Sequence, residues 1–442
     1  TGARHKLAAL MRELGSHVTN YGVREIARCG DNRALKSKTF WDIFAMGLVW
    51  GTLVVLAYLA HAFTLGSTNL LISLIWLCWV VGSVVDVTWL LNGCQGFRIP
   101  VMRNFCTRLA GMVAIFVHSA EDTWAYVIAV AVPFLANALL VWPFVRHYVD
   151  FRMPTIRGAL THLWSNFILF VPVIAVSLYT LLDKVLLGAI AGMGQTGLYD
   201  YAEKVSKMPL AVITALGAVV LPRMTEVVSS GRRSEAKGLV AMTMWFMEAV
   251  AMGLTFGIMA VANEFTPVFF GAGYDECILL MVVLSIIIPL ICATNVIGVQ
   301  YLVSSGRDLQ YTVSVLVGAA VNIVINFLLI PYYGALAAAV ATVAAEFVVL
   351  AVQVWMVRNE LDLSSAALGT VPFIAMGVVM LTCVRLLAGL IGAFAATVPG
   401  LVVEVLAGFI IYGALAVVWC STTRNVYFIR LFGKWLPRKE LR

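Results

Sequence analysis

Twelve apolar runs long enough to cross a bilayer recur along these 442 residues, near 40–61, 67–91, 103–118, 123–145, 162–190, 196–221, 238–262, 278–303, 310–331, 334–356, 366–389 and 399–421. Some 20 helical residues at about 1.5 Å each span a hydrocarbon layer of roughly 30 Å. A backbone in lipid must satisfy its own hydrogen bonds, so each run is expected to be a helix. Composition agrees, because 62% of residues are hydrophobic, only 12% are charged and the mean hydropathy is +0.94. That excludes a soluble domain and predicts an all-α polytopic membrane protein. The eight cysteines are scattered without a CxxC pair and read as small core residues. The opening TGARHKLAALMREL is too polar for a signal peptide or a first span, so the chain is expected to begin inside something longer.

Basic residues order the runs across the membrane. Arg24, Arg28, Arg33, Lys36 and Lys38 precede the first run, and the even-numbered connections carry Arg98, Arg103, Arg146, Arg152, Arg157, Arg223, Arg232, Arg233, Lys237, Arg307 and Arg358. The odd-numbered connections contain no Lys or Arg. Both termini are therefore expected in the cytoplasm, with a further basic tail from Arg424 to Arg442. A net charge of +7 gathered on that face suits anionic membrane lipids as partners and gives no reason to invoke nucleic acid.

Charge within the runs is concentrated in one hairpin, Ser177 to Lys207. Asp183 and Lys184 interrupt the first arm, and Asp200, Glu203, Lys204 and Lys207 stand at i, i+3, i+4 and i+7 on the second, which puts all four on one helical stripe. At roughly 3 kcal/mol per charge, four such groups facing lipid would cost on the order of 12 kcal/mol, so the stripe should face protein or water. Counted from the Gly192–Gly197 loop, Asp183 and Lys204 or Lys207 lie at a similar depth, roughly 10–15 Å down, and are expected to pair across the hairpin. The stripe reads either as an ion-pair network that fixes packing or as a substrate or coupling-ion site, and the two are compatible.

Other polar positions carry weaker signals. Asp86, three residues before Trp89, reads equally as a helix-end acid bonded to backbone and as a diphosphate-gating or ion-linked group. Glu248 and Glu346 stand alone in mid-helix and read as hydrogen-bonded neutral carboxyls or as protonatable coupling sites. Asn322 and Asn326 form an i, i+4 amide pair that reads first as interhelical glue and second as a sugar contact. Arg385 lies near an outer helix end and is expected to snorkel. There is no HExxH, GxxxxGK[ST] or GxSxG and no close histidine pair, so no catalytic residues, metal or cofactor are expected. An H⁺ or Na⁺ gradient, or substrate supply and removal, remains as the energy source.

The chain also echoes itself. LGSHVTNYGVREIARCGDNRALKS from Leu14 aligns with LGAVVLPRMTEVVSSGRRSEAKG from Leu216, and Glu25, Gly30 and Lys36 fall on Glu226, Gly231 and Lys237. Parallel repeats of this kind occur in transporters. By that repeat, one span and most of another are missing before Leu14, and an intact chain would have fourteen.

Four fragments, YGVREIAR (21–28), DVTWLLNGCQGFRIPVMRN (86–104), LLDKVLLGAIAGMGQTGLYDYAEKVSKMPLAVITALGAVVLPRM (181–224) and VIGVQYLVSSGRDLQYTVSVLVGAAVNIVINFLLIPYYGALAAAVATVAAE (296–346), resemble the oligosaccharide flippases of the polysaccharide transporter family, within the multidrug/oligosaccharidyl-lipid/polysaccharide exporter superfamily. The resemblance implies two pseudo-symmetric helical bundles, a V-shaped central cavity and two further C-terminal helices. On this chain those would be an N-terminal bundle at 1–155, a second bundle at 156–358, and a helix pair with a basic tail at 359–442. It implies flipping of a polyprenyl-diphosphate-linked glycan across the bacterial inner membrane, with Lys184, Lys204 and Lys207 offsetting the diphosphate and Asp183, Asp200 and Glu203 positioning the lysines. The polysaccharide polymerase machinery would be a further partner. A cation-coupled multidrug antiporter shares the fold and is the nearest rival, and a membrane polysaccharide polymerase is a more distant one.

Overall fold

A computed structural model describes residues 19, 21–64, 70–117, 123–423 and 427. The stretch His5–Glu13, the start of the internal echo and the basic tail lie outside those residues, except for Tyr427. The described chain is helical throughout, with no strand among the described residues. In order the helices are α1 (21–28), α2 (Arg33–Thr64), α3 (Leu70–Val85), α4 (Thr88–Gly93), α5 (Arg98–Val117), α6 (Thr123–Leu139), α7 (Trp142–Tyr148), α8 (Ile156–Ile190), α9 (Met193–Lys207), α10 (Leu210–Ser229), α11 (Arg233–Phe269), α12 (Glu276–Ser285), α13 (Ile287–Thr294), α14 (Asp308–Val357), α15 (Leu363–Ile391) and α16 (Val398–Thr422). A π-helical stretch, Asn295–Val303, precedes α14. Nine stretches of the described residues are long and apolar enough to cross a membrane. The runs near 103–118 and 162–190 fall on α5 and α8.

One expected span is jointed and two others share one helix, each for a local reason. The run at 196–221 is two helices, because Pro209 has no N–H to continue the ladder and α9 stops at Lys207. The runs at 310–331 and 334–356 are the two halves of α14, separated at Gly334 with φ 52° and ψ −128°, a conformation only glycine adopts without strain. The joint is latched from α9, where Gln195 Oε1 accepts the Ala335 N–H at 3.0 Å while Gln195 Nε2 donates to Glu276 Oε2 at 2.9 Å.

The chain divides into two compact units. The first comprises 1–177, 218–231 and 303–312, and the second 178–217, 232–302 and 313–442. In the first, α3 packs between α2 and α6, and Gly51 and Gly82 let backbones close on Val84 and Phe134. In the second, α11 carries α12, α13, α15 and α16. There Gly377 accommodates the Phe256 ring, and Tyr412 donates to the Ala249 carbonyl at 2.6 Å.

Three of the family-like fragments, 21–28, 86–104 and 296–346, and the two residues just beyond the end of the other, Thr225 and Glu226, meet in one contact network in the first unit. Gly22 lies against the Trp89 ring, so close that an added Cβ would come within 2.5 Å of it. Gln95 Nε2 donates to Glu226 at 3.2 Å, and Thr225 Oγ1 bonds Ser304 Oγ at 3.0 Å. Arg24, 2% exposed, donates to the Val303 carbonyl at 3.0 Å and to Asp308, and pairs with Glu25 at 2.9 Å. A buried ion pair costs most when one partner is removed. Arg24→Ala is therefore expected to destabilise the protein by about 3–5 kcal/mol, and Arg24→Ala/Asp308→Ala by less than the single change, measured by thermal unfolding in detergent.

Candidate functional site

The second unit holds the charged hairpin. α8 ends at Ile190, the chain reverses at Gly192 with φ 90°, and α9 begins at Met193, earlier than the loop expected over 192–197. This tight turn sets α9 alongside α8 in a register that places Lys184 between two acids of α9. Lys184 Nζ lies 2.6 Å from Asp200 Oδ1 and 2.8 Å from Glu203 Oε2. The outer oxygens are taken along α9 itself, Asp200 Oδ2 by Lys204 at 2.6 Å and Glu203 Oε1 by Lys207 at 2.6 Å. The result is a ladder, Lys204–Asp200–Lys184–Glu203–Lys207, in which every carboxylate oxygen meets an ammonium and one positive charge remains in excess. Burial grades along it, from Glu203 with 5% of its side chain exposed to Lys204 with 68%.

The cross-hairpin pairing differs from expectation in its partner. Lys184 makes it, and Asp183 is bonded by neutral groups instead. Adjacent helical residues point about 100° apart, so when Lys184 faces α9's stripe Asp183 turns toward α14. There Asn326 Nδ2 donates to Asp183 Oδ1 at 2.5 Å, and the Tyr199 and Thr342 hydroxyls lie 3.4 and 3.3 Å from Oδ2. Asn326 also donates to Asn322 Oδ1 at 3.1 Å, and Tyr199 and Thr342 bond each other at 3.0 Å. Asn322 and Asn326 are fully buried, and Asn322 Nδ2 and Asn326 Oδ1 have no partner. The amide pair thus joins helices and also completes a pocket rich in oxygen around one carboxylate. The joint in α14 brings Asn326 and Thr342 together from either side of Gly334.

The remaining acids lie apart from the ladder. Asp86 accepts the Thr88 N–H at 2.9 Å between α3 and α4, in the first unit, as a helix-end acid does. Glu248 is buried on α11 near the Cys292 thiol, with Oε1 unpartnered. Glu346 is half-buried on the second half of α14. Arg385 pairs with Glu264 at 2.5 Å and bonds the Ala260 carbonyl, so it is tied within the bundle and does not snorkel.

Sequence reasoning missed several members. Tyr199 sits one residue off the stripe among apolar neighbours, and Thr342 lies in the small-residue run ALAAAVATVAAE, where nothing distinguishes it. Glu404 is fully buried on α16 with both carboxylate oxygens unpartnered. It borders an apolar cavity of about 670 Å³ among α11, α15 and α16, lined by Gly257, Phe373, Met380 and Tyr412 among others.

Apolar helices of this length and number define a multi-pass membrane protein. Solved structures share the fold. The Vibrio cholerae MATE transporter in its bent form superposes with a TM-score of 0.66 at 14% identity, covering 81% of this chain and 87% of its own. A multidrug/oligosaccharidyl-lipid/polysaccharide superfamily transporter from Pyrococcus furiosus gives 0.66 at 12% identity over 80% and 84%. Among curated sequences, a protein of Escherichia coli K12 named for O-antigen transport is 20% identical over 359 residues, 79% of this chain and 85% of its own length. A Shigella dysenteriae protein of the same name is 21% identical over 356 residues, covering 78% and 87%. The family model for polysaccharide biosynthesis proteins matches residues 6–228. The chain belongs to that polysaccharide biosynthesis protein family.

The ladder predicts a graded energetics. A double-mutant cycle of Lys184→Gln with Glu203→Gln is expected to give a coupling of about 1–3 kcal/mol, and one of Asp200→Asn with Lys204→Gln less than about 1 kcal/mol because Lys204 is exposed. Unfolding of the purified variants in detergent measures both.

Proposed function

We propose that this protein flips polyprenyl-diphosphate-linked oligosaccharide repeat units from the cytoplasmic to the outer leaflet of a bacterial inner membrane, for assembly of a cell-surface polysaccharide. The observation that carries this reading is the surplus positive charge of the Lys184 ladder, held within apolar helices of a chain from this family. A diphosphate carries the opposite sign and exchanges with a carboxylate at an ammonium without leaving a bare charge. Lys204, the most exposed rung, meets it first, and Lys207 and Lys184 follow as Asp200 and Glu203 release them. The glycan passes with the diphosphate while the polyprenyl tail stays in lipid, and transport proceeds by alternating access with both termini in the cytoplasm. No covalent chemistry is required. The polymerase machinery receives the flipped unit.

Asp183 is the coupling group in this scheme. It is a single carboxylate among neutral oxygens, so one proton or one monovalent cation balances it. Glu248 and Glu346 are secondary candidates for the same role. A multidrug antiporter would place a cationic substrate against such acids, but the surplus on the ladder is positive.

Deleting the gene is expected to leave lipid-linked repeat units facing the cytoplasm. Unchanged lipid intermediates together with new drug sensitivity would instead identify an antiporter. Lys204→Gln/Lys207→Gln is expected to abolish complementation at normal membrane levels, and normal glycan export by that variant would confine the ladder to packing. Asp183→Asn is expected to bind substrate yet lose its response to an imposed H⁺ or Na⁺ gradient in proteoliposomes, whereas an unchanged response would remove Asp183 from coupling.

A further inference from the structure

Glu404 is the one acid among the described residues whose two carboxylate oxygens are both buried and unpartnered. Buried polar groups are nearly always bonded, and a bare carboxyl among apolar helices is costly, so its isolation needs a cause. It stands in the wall of the cavity of about 670 Å³ among α11, α15 and α16, a volume within the roughly 300–1,000 Å³ usual for ligand pockets. The space is open beside Gly257 and Gly413 of the same wall, where an added Cβ would meet no atom within 4 Å. Two more charges border this cavity near Glu404. Arg385 follows Val384 of the wall, and its Nη1 is taken by Glu264 at 2.5 Å and by the carbonyl of Ala260, another wall residue, at 3.2 Å. Held in that way, Arg385 stays within electrostatic reach of Glu404 without bonding it. Its Nε and Nη2, which form one edge of the guanidinium, make no hydrogen bond to a described residue, and the side chain is 35% exposed. Glu264 lies five residues before the end of α11, Arg385 six before the end of α15 and Glu404 six after the start of α16. At about 1.5 Å per residue, all three sit roughly 8–9 Å below the helix ends, where a headgroup layer meets acyl chains.

We propose that this cavity holds a phospholipid whose headgroup ends in a primary ammonium, phosphatidylethanolamine. An acyl chain fills the apolar space, and the phosphate takes the open Nε–Nη2 edge of Arg385 in a forked contact. The ammonium meets Glu404, whose carboxyl turns from the wall toward it. Charges then alternate along the row Glu264, Arg385, phosphate, ammonium, Glu404, and each has an opposite neighbour. The two oxygens of Glu404 call for N–H donors, which an ethanolamine ammonium has and the trimethylated nitrogen of choline lacks. A glycerol headgroup offers hydroxyls but no positive charge. The site lies apart from the Lys184 ladder and from Asp183, and it stands whether or not the flippase reading does.

The test uses the full chain in phosphatidylcholine nanodiscs doped with phosphatidylethanolamine or phosphatidylglycerol, with the lipid retained on release into detergent counted by native mass spectrometry. Wild type is expected to retain phosphatidylethanolamine over either other lipid by about tenfold or more, and Glu404→Gln to lose most of that preference. Gly257→Leu and Gly413→Leu, which fill the open space, are expected to lose the retained lipid altogether. Gly389→Leu, on α15 with equally open surroundings but outside the wall, stays within about twofold of wild type. Equal retention of the three lipids by wild type would overturn the site, and so would undiminished preference in a folded Glu404→Gln. The wild-type comparison and the two filled-cavity variants leave Glu404 in place, so they decide the matter should Glu404→Gln lose its melting transition. Retention of added farnesyl diphosphate in place of phosphatidylethanolamine, lost in Gly257→Leu, would overturn the headgroup assignment and give the cavity to a prenyl tail.

Discussion

One lysine between two carboxylates carries the charged part of this protein. Lys184 is the rung through which α8 and α9 share charge, and its two bonds of 2.6 and 2.8 Å require the hairpin's turn to fall at Gly192 and nowhere else. A shift of α9 by one residue would rotate the acids about 100° away and leave charge facing apolar neighbours. Desolvation would then penalise every rung. The spacing of Asp200, Glu203, Lys204 and Lys207 lets the same acids be satisfied twice, once within α9 and once across the hairpin. An array satisfied in this way can stay within apolar helices and still exchange partners.

Asp183 and Lys184 are neighbours in sequence with opposite surroundings. Lys184 belongs to the ladder of charges, whereas Asp183 is enclosed by hydroxyls and amides from α9 and both halves of α14. The separation depends on Gly334, which folds α14 so that Asn326 and Thr342 reach one carboxylate, and on Gln195, which ties that fold to the first turn of α9. One helix therefore presents a network of ion pairs on one side and a carboxylate held by neutral groups on the other. Both environments contain residues of α9, Tyr199 beside Asp183 and Asp200 and Glu203 beside Lys184, so a movement of α9 would alter them together.

The first unit is organised by contacts between distant parts of the sequence. Arg24 reaches Val303 and Asp308, Thr225 reaches Ser304, and Gln95 reaches Glu226. Those residues come from four stretches that looked separate along the chain. Each stretch keeps its polar residues because the others supply the partners.

Hydropathy by itself determined the helical class, because lipid leaves the backbone no other way to bond, and the i, i+3, i+4, i+7 spacing placed the α9 charges on one face before any coordinates. The repeated apolar runs did not reveal that one span is cut at Pro209, although the proline was visible, since proline bends some membrane helices and ends others according to what packs beside it. Depth along the hairpin made Asp183 a partner for a lysine, but depth carries no information about azimuth, and the turn at Gly192 gave that pairing to Lys184. Tyr199, Thr342 and the unpartnered oxygens of Glu404 had no signature in sequence. Their roles depend on which helices meet, and that is a property of tertiary packing, where a single hydroxyl acquires meaning only from the group placed opposite it.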